Sequence, residues 1–184
     1  MTFWLILEVV IIILVLVPTG VAFITGAPFV PTPIARVRKM LELAKIKPGM
    51  KLYDLGCGDG RLVSAAAKHF HADAVGFELS PFVFWIAKIR QFFTGSHGKI
   101  YLRDFRKMPF SDADIVTCYL LPEPMEKLKI KFEKELPIGA KIISYAFDIP
   151  GWKPIHEEPR IKEKNFSRIL VYEIGRTNEV SAPN

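Results

Sequence analysis

The residues that most constrain this chain are Asp54-Leu55-Gly56-Cys57-Gly58-Asp59-Gly60, which close an extended apolar stretch and open a helical pattern at Arg61. Glycines at alternate positions let the backbone turn sharply and let a ligand approach without interference from Cβ atoms. In open α/β sheets a loop of this kind lies at the carboxyl ends of the strands, where ligands bind. A dinucleotide loop has the spacing G-x-G-x-x-G, and its third glycine would fall where Arg61 stands. No Walker lysine follows, which argues against a P-loop. Asp54 would repel a phosphate, whereas a zwitterionic ligand bearing a sulfonium suits it.

Two further acids extend the site. Glu78 ends a second apolar stretch about 20 residues beyond the loop, where an acid accepts hydrogen bonds from ribose hydroxyls. Asp104-Phe105 follows a third stretch, and could offer an acceptor to an adenine amino group and an apolar cover to its ring.

The rest of the chain alternates between two periodicities. Apolar residues at helical spacing mark Ile34 to Ala44, Arg61 to Phe70, Pro81 to about Phe93, and Glu123 to Leu136. In the last of these Met125, Leu128, Phe132 and Leu136 face inward, and Pro81 suits a helix start because its missing N–H is not needed there. Between them, Lys51 to Leu55, Ala74 to Glu78, Lys99 to Arg103, Asp114 to Leu120 and Ala140 to Phe147 read as strands. Two more follow between Ile155 and Ile174, the last from Arg168 to Ile174, with no long helix between them. Strands alternating with helices imply a parallel sheet with right-handed crossovers, and the closing pair implies one antiparallel insertion. The expectation is an α/β, Rossmann-like, seven-stranded and mostly parallel sheet.

At the N-terminus the composition changes. From Thr2 to Thr25 the only charge is Glu8, and this run lifts the mean hydropathy to +0.22. About 20 apolar residues cross a bilayer core, so residues 1–27 read as an N-terminal membrane-anchor helix. Pro18 and Gly20 could break it before it spans. Met1-Thr2 supplies no basic n-region for a cleaved signal. Arg36, Arg38, Lys39, Lys45, Lys47 and Lys51 all follow the run. The positive-inside rule then expects a single-pass membrane protein with its domain on the cytoplasmic side, or the matrix side in a mitochondrion. Those cations could also sit against anionic headgroups. The net charge of +6 is accounted for largely in this way, which disfavours a nucleic-acid partner. Residues 28–47 read as a Pro-rich connector and amphipathic helix, 48–176 as the ligand-binding domain, and 177–184 as a tail.

Cys57 and Cys118 read as reduced, buried residues. His69, His71, His97 and His156 lack ligand spacing, and no metal site is expected. The stretch Phe82 to Phe93 is apolar almost all round, whereas a helix on a sheet needs one apolar stripe. The surplus is expected to bury against Ile34–Ala44. The other reading has Trp85, Phe92 and Phe93 touch a bilayer while Lys88 and Arg90 reach its headgroups.

The motif D-L-G-C-G-D-G-R at 54–61, with F-E at 77–78, resembles motif I and the following acidic position of class I S-adenosylmethionine (SAM)-dependent methyltransferases. The resemblance covers most of residues 48–175. It implies SAM as cofactor, held by Asp54, Gly56, Cys57, Gly58, Asp59, Gly60, Glu78, Leu79, Asp104, Phe105 and Tyr119. The apolar N-terminus, Pro28-Phe29-Val30-Pro31-Thr32-Pro33, Tyr119-Leu120-Leu121-Pro122 and Trp152 add a narrower likeness. Together with motif I they resemble the membrane-anchored protein lysine methyltransferases of the adenine nucleotide translocase and the ATP synthase c-subunit. That likeness implies a membrane-anchored enzyme whose substrate is a lysine of a membrane or membrane-associated protein. Many base- and glutamine-modifying methyltransferases carry N-P-P-Y or D-P-P-Y after strand four; here the Asn or Asp is missing. Tyr119 and Glu123 are the candidates for orienting a lysine, with a buried aromatic and a dipole-favoured first-turn acid as their plain structural alternatives. Two rival functions remain open: methylation of a quinone-like, lipid-soluble molecule, and a non-catalytic SAM-binding membrane adaptor.

Overall fold

The computed structural model describes residues 3–13 and 30–177. The sheet is built from β1 (Lys51–Leu55), β2 (Asp73–Glu78), β3 (Lys99–Leu102), β4 (Ile115–Cys118), β5 (Lys141–Tyr145), β6 (His156–Glu158) and β7 (Ile169–Glu173). Its order is β3-β2-β1-β4-β5-β7-β6. Strands β1 to β5 pair in parallel. β7 inserts antiparallel between β5 and β6, as the missing final crossover helix required. The order reverses between β1 and β4, which makes a crevice at their carboxyl ends.

Helices cover both faces. α1 occupies residues 3–13. α2 (Ile34–Ala44) and α3 (Arg61–Phe70) start and stop where the apolar periodicity does. Val37, Met40, Leu41 and Ala44 of α2 and Leu62, Val63 and Ala66 of α3 pack with Leu52, Ala74 and Ile115. α4 (Pro81–Thr94) starts at an N-cap, Ser80, and stops at Gly95, whose φ of 62° ends the helix in the left-handed region. On the other face, Met125, Leu128 and Phe132 of α5 (Pro122–Glu135) pack with Phe110, Ile142 and Tyr172. Trp152 is buried beside Tyr172 and donates its indole N–H to Glu133 at 3.1 Å, which fastens the loop after β5 to α5.

Several expectations need correction. The strand expected over Asp114 to Leu120 is only Ile115–Cys118, because Tyr119 and Leu120 leave the sheet. The apolar surplus of α4 does not bury against α2, which packs on α3, β5 and β7. Phe82, Trp85, Ile89, Phe92 and Phe93 stay exposed instead, Phe92 at 82%. Arg36, expected near headgroups, is buried. Its guanidinium donates to the carbonyls of Ser167 and, at 2.9 Å, Pro159. Lys51 pairs with Asp73 at 2.8 Å, and Lys39 with Glu158 at 3.4 Å. Of the cations read as membrane-facing, these three are tied to other elements of the domain, while Arg38, largely exposed, pairs with Glu42 one turn on in α2 at 3.7 Å.

The side chains of α1 are exposed, and among the described residues no helix is long and apolar enough to cross a membrane. Residues 14–29 of the expected anchor and connector, and 178–184 of the tail, lie outside the described residues.

Candidate active site

The glycine loop hangs from the end of β1 and is laced to the end of β2. The N–H groups of Gly56 and Cys57 both donate to the carbonyl of Phe77, at 3.0 and 2.9 Å. Gly56, Gly58 and Gly60 have φ of 74°, 56° and 71°, all in the left-handed region that side chains resist. A Cβ on Gly60 would lie 2.5 Å from Ile100 Cδ1, so this glycine also permits α3 to sit close to β3. On Gly56 a Cβ would meet nothing closer than Leu120, at 3.8 Å, so there only the backbone conformation demands glycine. Cys57 is buried and free, and burial first of all pushes its thiol well up, so it is a small apolar residue here and no nucleophile.

Asp54 is the buried acid of the site. Its register partner across the β1–β4 ladder is Thr117, whose hydroxyl donates to Oδ1 at 2.7 Å. Burial, with the nearby charges of Glu78 and Asp59, outweighs that bond and pushes the carboxyl up to about 7. A buried carboxylate held this reluctantly favours a cationic ligand.

Glu78 ends β2 and braces the loop. Its Oε2 accepts from Gly58 N–H at 3.0 Å, and its Oε1 accepts from Leu79 and Ser80 N–H at 2.9 and 2.8 Å. Burial raises its carboxyl while those backbone bonds hold it back. Both oxygens are fixed by rigid backbone; Oε1 already accepts two bonds, whereas Oε2 accepts one and keeps lone-pair capacity for a hydroxyl of a ligand. Leu79 is exposed beside it.

The other acids are spent differently. Asp59 is buried, which raises its carboxyl, but hydrogen bonding from Arg61 and the charges of Arg61 and Arg90 prevail and hold it below the usual range. It therefore ties α3 to α4. Arg61 continues the chain of contacts by donating to the carbonyl of Thr32 at 2.8 Å, so the Pro-rich connector is pinned to the glycine loop. Asp104 caps the 3-10 turn Phe105–Lys107 and pairs with Arg106 through two bonds, at 2.8 and 2.9 Å. That bonding holds its carboxyl low. Phe105 packs against the α5-side core.

Across the crevice, the ends of β4 and β5 make an aromatic wall. Tyr119 meets Tyr145 edge-on at 4.9 Å between ring centres and lies nearly parallel to Phe147 at 6.1 Å. Burial, then Tyr145, raises the Tyr119 phenol. Ala146, between the other two rings, has φ of 74° although it carries a Cβ. Such strain collects where function needs a particular backbone course. Glu123 lies apart from this wall: it is exposed on α5 and pairs with Lys127 one turn on, at 2.8 Å. These are the contacts of an ordinary first-turn helix acid.

Sequence reasoning passed over Thr117, Tyr145 and Phe147. Thr117 had a signal, a lone hydroxyl within the otherwise apolar Ile115–Cys118. Tyr145 and Phe147 had one as well, since parallel neighbours β4 and β5 put Tyr145 beside Tyr119. Among the described residues no group of three or more His, Cys, Asp or Glu could hold a metal ion.

Comparison with known proteins agrees with this geometry. The model of the ANTKMT methyltransferase domain matches residues 54–156. A protein-lysine N-methyltransferase of Saccharolobus islandicus is 37% identical over 158 residues, spanning 84% of this chain and 98% of the relative. The human lysine N-methyltransferase of the ATP synthase c-subunit is 37% identical over 70% of this chain, and mouse adenine nucleotide translocase lysine N-methyltransferase 33% identical over the same share. The chain spans only 55% and 56% of the lengths of those two mammalian proteins. Among solved structures, an RNA methyltransferase from Salinibacter ruber in complex with S-adenosyl-L-homocysteine superposes with a TM-score of 0.75 and 31% identity, over 84% of this chain and 97% of that one. A buried acid seeking a cation, a braced carboxylate beside it and a backbone open at Gly56 fit the sulfonium, ammonium and ribose of SAM. The chain belongs to the ANTKMT methyltransferase domain family, and it is a SAM-dependent methyltransferase.

Proposed function

We propose that this protein is a membrane-anchored lysine methyltransferase, acting on the ε-amino group of a lysine in a membrane or membrane-associated protein. The observation that carries the lysine reading is the aromatic cluster at the carboxyl ends of β4 and β5, where half-buried Tyr119 packs on Phe147 and on the buried Tyr145. Ring faces attract an ammonium, and the wall lacks the Asn or Asp that base- and amide-modifying enzymes carry there. The names of the archaeal and mammalian relatives support the same reading.

The cofactor supplies a methyl group already activated on a sulfonium. The chain has to hold the amine in line with that S–C bond and let the amine be neutral. A free lysine titrates near 10.4; the ring faces draw the ammonium in, and its withdrawal from water on entering the crevice is what favours the neutral form against them. With SAM held by the glycine loop, Asp54 and Glu78, its sulfonium would supply the methyl group and take back the S–C electrons, and the methylated lysine nitrogen would give up its surplus proton to water. Tyr119 is the orienting residue. Glu123, held by Lys127 on the helix exterior, is the weaker candidate for steering the incoming lysine.

The membrane part of the reading rests on the apolar run within residues 1–27 and on Arg38, Lys45 and Lys47 after it. It makes the protein single-pass, with its domain on the cytoplasmic side, or the matrix side in a mitochondrion. A second reading, methylation of RNA, is favoured by the name of the Salinibacter neighbour.

The test incubates the protein and its Tyr119→Ala variant with methyl-labelled SAM, host membranes and host RNA. Label in a protein band that hydrolyses to methyl-lysine, and lost in the variant, is the expected result. Label in RNA supports the second reading, and label confined to the lipid extract a quinone-like substrate. Cofactor binding with no transfer at all would indicate an adaptor.

A further inference from the structure

α4 carries a surface that the catalytic reading leaves unused. Val83 and Ala87 face the sheet and are buried. On the opposite side Phe82, Trp85, Ile89, Phe92 and Phe93 recur at helical spacing, all exposed, Trp85 at 63%. Single exposed apolar residues are ordinary, but five large ones in one stripe mark a contact surface. Cations border it: Lys88 lies beside the stripe within α4, and Lys68 of α3 reaches the carbonyl of Thr94 at the end of α4. Aromatic residues with a basic fringe are the composition of a helix lying in a membrane interface.

The course of the chain points to the same occupant. Thr32 is bonded to Arg61, and Arg61 shares the carboxylate of Asp59 with Arg90 of α4. The connector is therefore pinned beside this helix. Only seven residues lie between Ile24 of the apolar N-terminal run and Thr32, a reach of at most about 29 Å over the eight Cα–Cα steps even if fully extended. α4 itself is about 21 Å long, from its 14 residues. With the run in a bilayer, the pinned end of the domain stays within about 29 Å of Ile24, not much more than the length of α4.

We infer that the α4 stripe seats in the membrane interface, with Trp85, Phe92 and Phe93 among the upper acyl chains and Lys88 and Lys68 at the headgroups. The inference rests on the membrane-anchored reading above and adds to it an orientation. Seated in this way, α4 brings the glycine loop it flanks close to the membrane surface, where a lysine of a membrane protein would be presented.

The test uses the full-length protein reconstituted into vesicles of phosphatidylcholine and anionic phosphatidylglycerol, with or without bromine near the glycerol end of the acyl chains. Trp4 and Trp152 are common to the wild type and the Trp85→Phe variant, so the difference between their spectra isolates Trp85. Bromine should quench that difference by about half or more, as expected of a ring seated at interfacial depth. Phe92→Trp in the Trp85→Phe background should restore the quenching. Equal emission of the Trp85 component in brominated and plain vesicles would overturn the inference, whether water, a second copy or the N-terminal segment meets the stripe. Quenching is read without turnover: its loss with methylation intact sinks the α4 contact alone, and quenching without any methylation sinks the proposed activity alone.

Discussion

At the scale of single residues, the acid of the glycine loop decides what the site will accept. Asp54 has an ordinary value of 3.8 and stands near 7 in the fold, so folding favours its protonated form. The free protein is thus helped below the unfolded value and loses that help as pH rises through 7. Asp54→Asn keeps an acceptor for the Thr117 hydroxyl and removes the buried charge. It should raise the Tm of the cofactor-free protein by about 3 °C or more above neutrality, and change it little near pH 4. Cofactor binding should respond in the opposite sense. A cationic ligand prefers the ionised carboxylate, so affinity should climb toward pH 7, by at most about tenfold per unit, and then level off. Calorimetric titration across that range checks the profile, and a profile as steep in Asp54→Asn as in the wild type would remove Asp54 from this role. The glycines divide in the same manner. Gly60→Ala meets both left-handed strain and Ile100, and should lose about 2–3 kcal/mol in denaturant unfolding. Gly56→Ala meets the strain alone and should lose about 1 kcal/mol.

At the scale of elements, Arg36 shows how a residue can be read correctly for charge and wrongly for place. Its guanidinium leaves α2 to satisfy two carbonyls in the segment between β6 and β7, and its flank meets the Phe166 ring at 5.8 Å. Arg36→Met strands those carbonyls and should destabilise the fold by about 3 kcal/mol. Hydrogen exchange should rise first at the β6–β7 pairing amides, and uniform acceleration across the sheet would argue against this local role. The residues between β6 and β7 contain nothing that announces a partner so far away in the chain. By contrast α2 and α3 were legible to the residue, because apolar periodicity, Pro33 and the glycine loop all agree on their ends. β4 was overextended since Tyr119 and Leu120 are as apolar as the strand, and only the pairing with β5, which ends at Cys118 and Ser144, shows where the ladder stops. Asp59 belongs to the same class. Its motif position suggested a ligand contact, while its two arginine partners come from α3 and α4. Local pattern reveals which elements exist; long-range ion pairs are settled only when those elements meet.

At the scale of the whole molecule, the domain that binds cofactor and the apolar run that precedes it serve separable ends. The glycine loop, Glu78 and the aromatic wall all fall within residues 51–147, the sheet that carries them ends with β7 at Glu173, and the connector contributes through the Thr32 carbonyl. The proposed anchor therefore adds nothing to the chemistry of transfer. Its contribution is concentration, because confinement to one surface turns a three-dimensional search into a local one. Deleting residues 1–29 keeps Thr32, and should leave cofactor affinity and kcat within about twofold while the apparent KM for a membrane-embedded protein rises by about tenfold or more. A soluble peptide carrying the same lysine has no surface to share, so its kinetics should be the same with both forms. Steady-state assays on the two substrates separate the effects. Losing kcat on the peptide would mean that the N-terminal run supports the site itself, and an unchanged KM on the membrane protein would mean that anchoring does not govern encounter. The exposed stripe of α4 predicts a graded result between these limits. With that helix still able to touch lipid, deletion of the run should weaken membrane residence without abolishing it, and adding Phe92→Glu and Phe93→Glu to the deletion should raise KM further while the peptide reaction stays unaffected.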